Sequence, residues 1–230
     1  MSNQLQNFIA KSAIKAADLD HRRKINFNIG KYNEKVPEGK EQFADVHLAR
    51  ERAKNIKWRA IETLDQQLEN FELNFTKRGG KVIWAENSQQ AIEKVLAICK
   101  EKNCKKLVKS KSMVTEEVHL NSALEKNGIE SVETDLGEYI QQLDGEAPYH
   151  IVTPAMHKSK EDVAKLFAEK LGTDMNMTPE EMTLVARKNL REKYVQAEIG
   201  VTGANFILSN LSMTLTLWNE QIAPAQAAST

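Results

Sequence analysis

Cysteine is scarce in this chain: 230 residues hold two, Cys99 and Cys104, spaced C-x4-C. A structural zinc site or an iron–sulfur cluster normally takes four protein ligands, and no Cys-x-x-Cys pair occurs, so no metal site is expected and the chain cannot hold a cluster by itself. The two read as reduced thiols of a cytoplasmic protein, one on a helix and one near a strand start. Net charge is also missing. Thirty-two basic and 32 acidic residues cancel, which excludes the one-signed field of a nucleic-acid binder or a polybasic membrane anchor. No apolar run approaches the roughly 20 residues of a membrane span. The start, MSNQLQNFIAKSAIKAADLDHRRK, lacks the continuous apolar core of a signal peptide and is expected to be retained. G-x-G-x-x-G, Walker, metalloprotease and G-x-S-x-G motifs are absent, as are internal repeats. With 41% apolar and 28% charged residues, the composition is globular rather than disordered.

Two regimes follow along the chain. Residues 1–78 read as an N-terminal helical extension: a first helix, a polar connector broken by Gly30, Pro37 and Gly39, and one long helix from Gln42 to Lys77. Gly79-Gly80 ends that helix by accepting left-handed backbone. From residue 79 to 220 short strands alternate with helices. Strands are expected at Lys81–Ala85, Lys105–Lys109, Ile129–Thr134, Tyr149–Thr153 and Ile199–Val201, and again in the run Phe206–Trp218, where Asn210-Leu211-Ser212 allows a hairpin. Between them, helices start at Ser88, at Ser112 or Thr115 (running to Gly128), at Ser159 and at Thr178; the last two carry capping-box signatures. Alternation of this kind implies an α/β fold with a layered, mainly parallel sheet. The small, polar residues 221–230 are expected to be a disordered tail.

Ligands of open α/β sheets bind beyond the carboxyl ends of the strands. Four segments converge there. Lys109-Ser110-Lys111-Ser112 with Thr115 joins two ammonium groups and three hydroxyls to a strand-to-helix turn; an anion site for a small carboxylate or phosphate and an ordinary solvated turn both fit it. Asp135 is expected to cap a helix, and Glu138 to serve as a base or to orient a cation such as Lys111. His157 is the histidine best placed for proton transfer, although a loop histidine is more often a cap or solvated. His21, His47 and His119 read as surface residues. Thr202, Gly203 and Asn205, in Gly-Val-Thr-Gly-Ala-Asn, suggest a tight backbone approach rather than a nucleotide motif.

Four stretches carry a resemblance: ERAKNIKWRAIETLDQQLENFELNFTKRGGKVIWA, KSKSMVTEEVHLNSALEKNGIESVETDLGEYIQQL, HIVTPAMHKSKEDVAKLF and IGVTGANF. They are similar to the LUD-domain family, in its iron–sulfur branch. The resemblance implies a fold similar to the NagB/RpiA/CoA-transferase group and a part in oxidising L-lactate to pyruvate with other lactate-utilisation subunits as partners. It further implies that full-length relatives bind two [4Fe–4S] clusters in a later cysteine-rich region, before which this chain stops, leaving no cofactor of its own. Where the family tends to read Glu-Thr-Gly and then Asn-Glu-Gly-Asn, Asn210-Leu211-Ser212 and Asn219-Glu220-Gln221-Ile222 stand here. A non-catalytic assembly domain and a phosphate- or CoA-ligand-binding domain are the alternative readings.

Overall fold

A computed structural model describes residues 3–210 and 213–215. Helices α1 (Asn3–Ala17) and α2 (Leu19–Lys40) meet at Asp18, whose carboxylate accepts the His21 amide and caps α2. The expected connector is therefore helical. Gly30 is carried inside α2, and Pro37 falls close enough to its end to remove a single backbone hydrogen bond. The single helix expected from Gln42 to Lys77 is two: α3 (Val46–Glu62), capped by Asp45, and α4 (Leu64–Lys77). Thr63 separates them. Its φ of −119° leaves the helical region, and its hydroxyl donates to the Arg59 carbonyl, the backbone competition that threonine brings to helix interiors. Gly79, at φ +86°, then reverses the chain where any side chain would be strained.

Lys81–Ala85 is not a strand. Gly80 lies against the Phe75 ring and the Trp84 indole donates to Glu72 (3.0 Å), so the segment runs back along α4 and pairs with no strand among the described residues. Helix α5 (Ser88–Glu101) is capped by Asn87, one residue before the expected Ser88. Strand β1 (Lys106–Lys109) follows, then α6 (Met113–Glu117) and α7 (Leu120–Lys126) in place of one helix. The break is His119, left-handed at φ +56°. Next come β2 (Glu130–Glu133) and α8 (Leu136–Asp144), capped as expected by Asp135. The strand expected at Tyr149–Thr153 is also absent. His150 Nδ1 accepts the Val152 and Thr153 amides, and the Tyr149 amide donates to the Pro154 carbonyl, which folds the segment upon itself.

Both capping boxes are present, at Ser159/Asp162 for α9 (Lys160–Leu171) and at Thr178/Glu181 for α10 (Pro179–Gln196). Thr178→Ala is expected to lower stability by about 1 kcal/mol in urea denaturation, because the hydroxyl satisfies one otherwise orphaned helix amide. Strand β3 (Ile199–Val201) completes a parallel sheet of order β2-β1-β3, in which Lys109 registers against both Glu133 and Val201. β4 (Phe206–Leu208) and β5 (Met213–Leu215) form the hairpin, but as an antiparallel sheet of their own rather than an extension of the first. The remainder of the run to Trp218, Leu211 and Ser212, and residues 221–230 lie outside the described residues.

The central sheet is covered on both faces, as a parallel sheet must be. Val108 and Val132 pack with Tyr139, Ile140, Phe167 and Leu190 from α8, α9 and α10. On the other face Leu107 packs with Cys99, Leu120 and Leu124 from α5 and α7. Strand alternation produces this division. Leu107 and Lys109 face α6 and α7, and Val108 between them faces the opposite layer. The outer edge of β2 is closed by a side chain: the Gln142 amide accepts the Glu133 N–H (3.0 Å) and donates to the Ser131 carbonyl (2.7 Å), standing in for a neighbouring strand.

Candidate functional site

The carboxyl ends of β1 and β2 meet in a cluster of charges. Lys109, the last residue of β1, is fully buried. Its ammonium lies 2.8 Å from Glu133 and 3.0 Å from Glu116. Burial by itself would lower this lysine, but the two carboxylates outweigh it and hold it above the ordinary lysine range. Glu133 Oε1 also accepts from Asn121, which in turn accepts the Ser131 hydroxyl. Lys111, two residues beyond β1, reaches Glu138 on the first turn of α8 at 3.2 Å. Glu138 is 1% exposed, whereas the Lys111 side chain is 21% exposed and gives the cluster its contact with solvent.

Two ammonium groups face three carboxylates here. Glu133 and Glu138 each keep one buried oxygen with no hydrogen-bond partner among the described residues. Protonated Glu138 can donate one hydrogen bond to Glu133. Burial first, and then the Glu133 charge, push the Glu138 carboxyl up to about 7, against the pull of Lys111 and Lys109. Asp135, also buried, is raised by burial and by Glu138 while it caps α8. A buried carboxyl poised near neutrality beside a partly exposed ammonium can bind an anion and exchange a proton with it.

The other sequence-based candidates are distributed unevenly. The Ser110 and Thr202 hydroxyls bond each other at 3.1 Å, joining the turns after β1 and β3. A side chain on Gly203 would crowd the Lys111 carbonyl and Ser112 at 3.2 Å, so the tight backbone approach is real. Ser112 and Thr115 are engaged with each other at the start of α6. Asn205 lies exposed in the turn before β4. Lys109 does not face outward as a ligand donor; both its carboxylate partners are internal. His157 is not joined to Glu138. It bonds Glu146 (3.0 Å) and lies 4.6 Å, ring to ring, from Tyr149, which shares a hydrogen bond with His21. His21 is therefore buried, not a surface residue.

Glu133, Glu116 and Asn121 did not emerge from the sequence. Lys109 and Glu133 each close a short apolar strand, and a parallel register that pairs them was the available signal. Cys99 and Cys104 are both buried; burial pushes the Cys99 thiol up and, with the neighbouring thiol, the Cys104 thiol up to about 11. Two protonated thiols do not fit a four-thiolate cluster. Among the described residues no group of three or more histidine, cysteine or acidic side chains is arranged to hold a metal ion, and no helix is long and apolar enough to cross a membrane.

The described residues form a layered α/β domain with an ionisable cluster at the carboxyl ends of its parallel strands. The chain belongs to the LUD-domain family, which matches it over residues 68–229. It is 47% identical over 171 residues to lactate utilization protein B of Bacillus cytotoxicus, and 46% identical over the same length to the proteins of that name from Bacillus cereus (strain AH820) and Bacillus thuringiensis (strain Al Hakam). Each alignment takes in 74% of this chain and 36% of the relative, so the chain spans about a third of the length of these relatives. No solved structure matches.

Proposed function

We propose that this chain is the LUD domain of a lactate-utilisation subunit and takes part in the oxidation of L-lactate to pyruvate. The observation that carries this reading is the Lys111–Glu138 pair, buried on the carboxylate side, partly open on the ammonium side, and set at the strand ends of a chain similar to lactate utilization protein B. Lys111 would hold the substrate carboxylate. Glu138, in its deprotonated form, would accept the hydroxyl proton as the carbonyl forms. The Cα–H bond breaks as the carbonyl forms, and its two electrons and its proton leave to an acceptor supplied by other lactate-utilisation subunits or segments, since the two protonated thiols here offer none. A cytoplasmic location and a NagB/RpiA/CoA-transferase-like fold belong to the same reading; a parallel sheet layered between helices supports the fold.

Calorimetric titration with L-lactate, pyruvate and a sugar phosphate tests the binding half. The wild type is expected to bind a 2-hydroxy or 2-oxo carboxylate, with Lys111→Ala weakening it at least tenfold and Glu138→Gln shifting its pH dependence. Preference for the sugar phosphate would move the assignment to a phosphate-ligand domain. Binding of none of the three, or equal binding by Lys111→Ala, would remove the site.

A further inference from the structure

We infer a second ligand site: a cleft that takes an amphipathic anion, an apolar body of about ten carbons carrying a carboxylate or phosphate head. The cleft, of about 590 Å³, lies between α2 and the layer formed by α8, α9 and α10. That is the size of a small-molecule site rather than of a groove for a partner helix. Its wall on the α2 side is pinned in place. The Asn28 amide donates to the Met156 carbonyl at 2.7 Å, and Lys24 bridges to Asp162 at 2.7 Å. Neither Glu138 nor Lys111 lines it, so the inference does not rest on the lactate reading.

The lining sets the ligand chemistry. Tyr32, Leu136, Val152 and Val163 keep apolar surface open to the cleft, over the buried side chains of Ile140, Met156, Phe167 and Met182. Lys31 and Lys160 stand at the border, both exposed, and neither makes an ion pair with a described residue; Lys31 lies 4.5 Å over the Phe27 ring. Helices α8, α9 and α10 all begin beside the cleft, and Asp135, Ser159 and Thr178 each take one or two amides of those first turns. Head-group recognition is assigned to the two lysines, the charged side chains of the border. Asp135, the acidic residue of the lining, turns its carboxylate to the Gly137 and Glu138 amides. Lys158, a third lysine of the lining, is held by Asp144 and Glu146. What is left is apolar surface next to two ammonium groups that form no ion pair with a described residue, the complement of an amphipathic anion.

Titration calorimetry on the full chain with decanoate, decyl phosphate and decanol, each below its micellar range, tests this. One equivalent of decanoate or decyl phosphate is expected to bind saturably, the stronger of the two naming the head group, with decanol at least tenfold weaker. Lys31→Ala with Lys160→Ala should remove the preference for the charged ligands. Thr183→Trp, an exposed position on α10 at the cleft border, should block all three without disturbing the fold as read by circular dichroism. Absence of saturable binding, equal affinity for decanol, or unchanged binding in both variants would overturn the site.

Discussion

Lys109→Met is expected to cost the domain about 3–5 kcal/mol in urea denaturation, far more than loss of a lysine normally costs, because it leaves a buried charge uncompensated. The wild-type ammonium is fully enclosed and lies 2.8 Å from Glu133, whose side chain is 5% exposed. Methionine fills nearly the same volume, so packing alone changes little. What changes is Glu133, which keeps Asn121 as a donor but loses its cation. The expected remedy separates charge from volume. Lys109→Met combined with Glu133→Leu removes both charges and should recover most of the loss, since a buried ion pair replaced whole by apolar groups is near neutral in stability. Glu116, on the far side of Lys109, is more exposed and can turn to water. A single variant as stable as wild type, or a double variant worse than the single, would mean that Lys109 is not the charge that makes this cluster tolerable.

Local chemistry was legible in the sequence and pairing was not. Ser159, Thr178 and Asp135 could be assigned as caps because a cap and the amides it satisfies lie within three residues of one another. The strands at Lys106–Lys109 and Glu130–Glu133 could be assigned because each lies between a helix end and the next helix cap. Lys81–Ala85 has the same apolar character, but a strand exists only with a partner, and no pattern within KVIWA reports that its neighbour is α4. Tyr149–Thr153 fails for a nearer reason, a histidine ring that captures two backbone amides. At the candidate site, Lys111 and Glu138 could be joined in advance through opposite charge at neighbouring strand ends. Their dependence on Glu133 and Lys109 could not, because it comes from strand register and burial. His21 was misread for the same reason, since its burial against Tyr149 crosses 128 positions of sequence.

Glu138→Gln should change how stability responds to pH more than any other carboxyl substitution in the cluster. In the folded chain burial and Glu133 push Glu138 up to about 7, whereas in the unfolded chain it titrates near its ordinary 4.5. Below about 4.5 both states carry the proton and nothing is lost. Between about 4.5 and 7 the folded state keeps the proton that the unfolded state releases, so stability falls as pH rises; above 7 the loss is complete and constant. Its size is on the order of 3 kcal/mol. Asp135, raised by burial, adds a slope of the same sign, while His21, lowered by burial, acts the other way: its unfolded form takes up a proton first as pH falls below 6.5. The difference between wild type and variant isolates Glu138 from both. Denaturation midpoints measured from pH 4.5 to 8 should show wild type losing stability relative to Glu138→Gln through this window, with the two curves parallel above it. Curves parallel throughout would mean that Glu138 ionises at its ordinary value. A wild-type curve rising relative to the variant would mean that Lys111 outweighs burial and holds Glu138 as a carboxylate, leaving an anion-binding pair with no proton to exchange at neutral pH.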